Sequence, residues 1–89
     1  MTRAAILICD DEKGVQTSLL GILEDAGFDC QAVSSGEEAL EIFVKKHFPV
    51  VLLDIWLPGI DGLEALAKIR QISPATSVIM NDISENLSM

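Results

Sequence analysis

Between Pro49 and Asp54 the chain reads Val50-Val51-Leu52-Leu53, four apolar residues in succession with no polar alternation. A strand with one wet face alternates apolar and polar residues. An unbroken run of this length, half of it valine, reads instead as a strand buried on both faces, as in a parallel sheet sandwiched by helices. Parallel neighbours need a crossover between them, usually a helix, and the flanking sequence supplies the pieces. Ala4 to Cys9 is a second apolar run, halted by Asp10, Asp11 and Glu12. Val15, Leu19, Ile22, Leu23 and Ala26 then recur at helical spacing, and Gly27 closes that helix. Cys30 to Val33 reads as a weaker strand. Ser35-Gly36-Glu37-Glu38 has the form of a capping box, with Ser35 as N-cap, followed by the apolar stripe Ala39, Leu40 and Phe43. Lys45, Lys46 and His47 fit the last turn of this helix, where cations complement the dipole, and Pro49 stops it. Leu63, Leu66 and Ile69 mark a third helix ended by Pro74, and Val78 to Met80 a fourth strand. The order βαβαβαβ predicts an α/β fold: a doubly wound parallel sheet with right-handed crossovers and helices on both faces.

The 89 residues make room for one domain, and a hydrophobic fraction of 49% excludes disorder. No apolar run approaches the ~20 residues of a membrane span, and no signal peptide is visible, so a cytoplasmic protein without membrane contact is expected. A formal net charge of -8 repels phosphate backbones, which argues against direct binding of nucleic acid. Cys9 and Cys30 lie inside apolar runs with no second Cys or His at ligand spacing, and both read as buried thiols.

In an open parallel sheet ligands gather beyond the carboxyl ends of the strands, where the strand order reverses. The first strand runs into Asp10 and Asp11, and the third into Asp54. One acid after a strand is commonly just a helix cap, and Asp10 or Asp11 could cap the helix near Lys13. Three at two strand ends point further. If those strands are neighbours, three carboxylates converge, and at ~4 Å and an effective dielectric near 20 each like-charge pair costs on the order of 4 kcal/mol. A bound proton or a divalent cation offsets this. An oxygen-only donor set suits a hard ion, Mg²⁺ best of all. The segment Leu57-Pro58-Gly59-Ile60-Asp61-Gly62 carries two turn signals, and a structured loop there would hold the Trp56 carbonyl over the acidic pocket. The Trp56 side chain reads equally well as an apolar cover over that loop.

An apolar strand ending in Asp10-Asp11-Glu12, a strand ending in Asp54 and the loop Leu57 to Gly62 together resemble the receiver domain of two-component response regulators. The segment DIWLPGIDGLE is most similar to receivers of NtrC/NtrX-like activators, and the resemblance covers residues 4 to 80. It implies a flavodoxin-like fold in which Asp54 is the phosphoacceptor, taking a phosphoryl group from a sensor-kinase histidine. Asp11 would bind Mg²⁺ directly, Asp10 mainly through water, and the Trp56 carbonyl would complete a metal set of Asp10, Asp11, Asp54 and Trp56. The implied activity is not enzymatic beyond Mg²⁺-dependent self-phosphorylation of Asp54, in the service of transcription regulation.

The ending departs from the pattern. Counting from Pro74, Asp82 stands where receivers carry a switch Ser or Thr, and a carboxylate there repels a phosphoryl group. The fifth strand, its Lys and two further helices would lie beyond Met89, so residues 1–80 read as a receiver cut after its fourth strand and 81–89 as a divergent tail. Impaired phosphotransfer is then expected, together with uncovered apolar surface and an exposed fourth strand that favour a homo-oligomer. The alternative reading is a receiver remnant that docks or oligomerises without phosphotransfer. A third, a haloacid-dehalogenase-type phosphatase with Asp54 as nucleophile, lacks its second acid because position 56 is Trp.

Overall fold

Residue pattern and strand pairing agree in the computed structural model, which describes residues 3–57 and 62–81. The elements are β1 (Ala5–Cys9), α1 (Lys13–Asp25), β2 (Asp29–Val33), α2 (Gly36–Phe43), β3 (Val50–Asp54), α3 (Gly62–Ile72) and β4 (Ser77–Asn81). All strand pairs are parallel, and they form one sheet in the order β2-β1-β3-β4. Cys9 is level with Val33 on one side and Leu53 on the other, and Leu53 is level with Met80.

This order explains where the helices go. The chain steps from β1 outward to β2, then back across β1 to β3 and on to β4. With right-handed crossovers, a reversal of direction puts the helices on opposite faces. On one face α2 and α3 contribute Ala39, Phe43, Ala65 and Ile69 to a core with Leu7, Cys9, Val33, Val51 and Leu53. On the other, α1 lies against β1 and β2. It covers Ile6 and Ile8 but leaves Val50 and Leu52 half-buried. Among the described residues β3 is therefore fully buried on one face only, because α1 lies over β1 and β2 and does not reach across it.

Local chemistry sets the boundaries. Ser35 caps α2 by accepting the Glu38 N–H at 3.1 Å, and Glu38 Oε1 accepts in return from the Ser34 N–H at 3.2 Å. Gly27, just beyond the C-cap Ala26, takes φ +100°, a conformation that L side chains rarely adopt.

Several expectations need correction. Lys45, Lys46 and His47 lie beyond α2, whose C-cap is Val44. The amides of Lys45 and Lys46 both turn back to the Ile42 carbonyl, and Lys46 meets Asp29 at 3.7 Å and the Phe48 ring at 5.3 Å. Ile22 and Leu63 are exposed rather than part of the buried stripes. α1 buries Val15 and Gln16, and α3 buries Gly62, Ala65 and Ile69. Cys9 is buried as expected, but Cys30 is half-buried because β2 is an edge strand. Glu12, not Asp10 or Asp11, occupies the N-cap of α1, and its side chain makes no capping bond. Residues 58–61, where turns are expected, Asp82 and the tail beyond it lie outside the described residues. Among the described residues no helix is long and apolar enough to cross a membrane.

Candidate functional site

The strand order makes β1 and β3 neighbours, and their carboxyl ends carry the acids. Asp10 follows β1 directly and Asp54 is the last residue of β3. Asp10, Asp11 and Asp54 each present a ligand oxygen, and these oxygens all lie within 4.8 Å of one another. Asp10 and Asp54 are fully buried, whereas Asp11 is exposed at the mouth. The site sits where the winding direction reverses, the position at which doubly wound sheets bind ligands.

Both buried acids are held by the same local device. Asp10 Oδ1 accepts the Glu12 N–H at 2.9 Å, and Asp54 Oδ1 accepts the Trp56 N–H at 2.9 Å. Each is a turn in which an aspartate bonds the backbone two residues on. It fixes the carboxylate plane, and with it the direction of the second oxygen. Trp56 thus meets Asp54 through its amide N–H. Its indole is half-exposed and lines a pocket of about 310 Å³ with Ile55, Leu57 and Leu63.

Two residues in contact with this geometry are not evident from the acid pattern alone. Gly62, the first residue of α3, packs so closely that a Cβ there would lie 2.6 Å from the Asp54 carbonyl oxygen and 2.6 Å from Ile55 Cα. Gln16 projects from α1 under the acids and donates from Nε2 to the Asp10 carbonyl at 2.6 Å. In the sequence Gln16 is only a polar residue flanking the apolar stripe of α1; its burial marks it, because a buried polar group is more informative than a buried leucine.

The donor chemistry fits a hard divalent cation. All three side chains offer oxygen, and the adjacent thiol does not compete. Burial pushes the Cys9 thiol up to about 12, and the charges of Asp10 and Asp54 push the same way. Cys9 stays protonated at neutral pH and donates to the Ser35 carbonyl at 3.3 Å. Carboxylate oxygens without a thiolate or imidazole suit Mg²⁺ rather than a softer metal.

Residues 6–89 match the family model described as the response regulator receiver domain. The chain belongs to the response regulator receiver family. An NtrX-like response regulator of Rickettsia bellii is 37% identical over 82 residues, 90% of this receiver chain and 17% of the relative. The DNA-binding transcriptional regulator NtrC of Escherichia coli is 36% identical over 80 residues, again 17% of its length. The receiver thus spans about a sixth of these relatives. Among solved structures, a CheY-like receiver domain protein of Methanospirillum hungatei superposes with a TM-score of 0.87 at 28% identity, over 97% of this chain and 72% of that one. A chain in the crystal structure of histidine kinase ThkA in complex with response regulator protein TrrA superposes at 0.82 with 35% identity, over 86% of this chain and 66% of that one. The doubly wound parallel sheet expected from the element order is observed, and it has the flavodoxin-like receiver fold that the resemblance implied.

Proposed function

We propose that this receiver accepts a phosphoryl group on Asp54 from the phosphohistidine of a sensor kinase, in an Mg²⁺-dependent step. The observation that carries the reading is the convergence of Asp10, Asp11 and Asp54 at the β1/β3 switch point. Asp11 and Asp54 would hold the cation, with Asp10 acting through water and the Trp56 carbonyl completing the set. Bound there, Mg²⁺ supplies neutralisation of phosphoryl oxygens, which lets an anionic carboxylate approach an anionic group. Asp54 is the nucleophile: an O–P bond forms to its carboxylate as the N–P bond of phosphohistidine breaks. The N–P electron pair stays on the imidazole, which takes a proton from water. The Trp56 N–H on Oδ1 keeps the carboxylate in one rotamer for attack. The acceptor is consumed in the transfer, so the chain acts as a signalling module and not as an enzyme.

A sensor histidine kinase is the proposed partner, a pairing supported by the complex of ThkA with the similar regulator TrrA. A second copy of the chain is also an expected partner. Among the described residues β4 pairs only with β3, and Ile79 on it is 53% exposed, the kind of edge that pairs with another chain. Sedimentation velocity at micromolar concentration tests this, and a single monomeric species refutes it.

The phosphotransfer test is incubation with Mg²⁺ and a small-molecule phosphodonor, read by intact mass. The wild type should gain one phosphoryl group and Asp54→Asn none. A folded wild type that gains nothing overturns the phosphoacceptor reading in favour of a docking module.

A further inference from the structure

Gln16 is a buried amide, 6% exposed, that the chemistry of phosphotransfer does not use. Its Nε2 donates to the Asp10 carbonyl at 2.6 Å, the Val33 carbonyl at 3.0 Å and Ser34 Oγ at 3.2 Å. The nitrogen has two hydrogens, so the three acceptors share them. The Asp10 backbone is held from both sides, because its own N–H also donates to the Val33 carbonyl, at 3.1 Å. Val33 ends β2 and Asp10 follows β1. One side chain therefore ties together the carboxyl ends of two strands and the helix lying across them. The carbonyl it grips belongs to the peptide unit joining Asp10 to Asp11, so the grip orients both acids.

We propose that Gln16 is a positioning residue for divalent-cation binding: its clamp on the Asp10 and Val33 carbonyls holds the Asp10 and Asp11 carboxylates at their present spacing from Asp54. This rests on the reading of Asp10, Asp11 and Asp54 as an Mg²⁺ site. The need for a clamp is electrostatic. Three carboxylates with oxygens within 4.8 Å repel one another, and Asp10 and Asp11 lie in a short connection between β1 and α1. Without a restraint that connection relaxes away from Asp54, and a cation must draw it back at the expense of affinity. An amide provides the restraint without adding charge. A lysine or arginine in its place would grip the same carbonyls but cancel part of the negative field that attracts the ion.

The test compares the full chain with Gln16→Met, which keeps the length of the side chain and removes its donors. Two quantities are read: the Mg²⁺ dissociation constant from Trp56 fluorescence, and hydrogen exchange at the Asp10 and Glu12 amides in metal-free protein. Removing such an outer partner of metal ligands is expected to weaken Mg²⁺ binding about tenfold or more, with faster exchange at both amides. If Gln16→Met does not fold, Gln16→Asn carries the test, since it keeps the amide but falls short by one methylene, and the same direction is expected. A folded variant with a lower melting temperature but unchanged Mg²⁺ affinity overturns the assignment, because Gln16 then only stabilises the fold. A wild type that shows no saturable Mg²⁺ response, indistinguishable from Asp11→Asn, overturns the metal reading and this inference with it.

Discussion

Replacing Gly62 by alanine tests whether the end of β3 and the start of α3 are as tightly packed as the structure shows. Gly62 does not have a positive φ; among the described residues only Gly27 does. Space, not backbone freedom, requires the glycine. The added methyl would lie 2.6 Å from the Asp54 carbonyl oxygen, 2.6 Å from Ile55 Cα and 3.2 Å from the Asp54 carbonyl carbon. Ordinary contact begins at 3.4 Å, so α3 must retreat from β3 by most of an ångström. The opposing atoms are backbone and cannot swing aside. Overpacking of this kind costs about 1–3 kcal/mol. Alanine returns less than about 1 kcal/mol in helix propensity, because Gly62 opens the helix. The net expectation is a loss of about 1–2 kcal/mol, which for a domain of this size lowers the melting temperature by about 5–15 °C. Gly21→Ala is the matched control. It lies inside α1 with nothing within 4 Å of its notional Cβ, and should gain about 0.5–1 kcal/mol. Thermal and urea unfolding followed by circular dichroism measure both. A Gly62→Ala protein as stable as the wild type, or two variants shifted in the same direction, would refute the argument from contact distance.

Other perturbations follow from single contacts. Ser35→Ala removes the acceptor for the Glu38 N–H at the start of α2 and should cost about 1 kcal/mol in urea unfolding; an unchanged midpoint would show that water replaces the cap fully. Cys9 gives a pH signature. Its folded value is raised to about 12 from an ordinary 9.0, so the unfolded chain ionises first. The stability it contributes is complete below pH 9 and is lost as pH rises toward 12, by at most about 1.4 kcal/mol per pH unit. Unfolding titrations above pH 9 should show this decline in the wild type and a shallower one in Cys9→Ser. Equal slopes would count against the thiol as the source.

Much of the fold is legible without coordinates because it is written in local signals. The apolar run before Asp54, the capping box at Ser35 and the turn glycine at 27 each specify an element through forces acting within a few residues. The same holds for the placement of Asp10, Asp11 and Asp54 at strand ends. The outward turn of Ile22 and Leu63 was not legible, since which side of a helix is buried depends on the surface it meets. α1 meets only β1 and β2, and α3 touches down through the small residues Gly62 and Ala65. Gln16 was hidden for a related reason: its partners Val33 and Ser34 are 17 and 18 residues away.

By itself the sequence determined four strands, three helices and the acids that end two of the strands. Only the tertiary structure decided that β1 lies between β2 and β3, which turns two separate acidic strand ends into one site. The pairing energy of parallel strands comes from neighbours distant in the chain, and no local pattern records it. The repulsion between Asp54 and the adjacent pair Asp10 and Asp11 exists only once that pairing has formed.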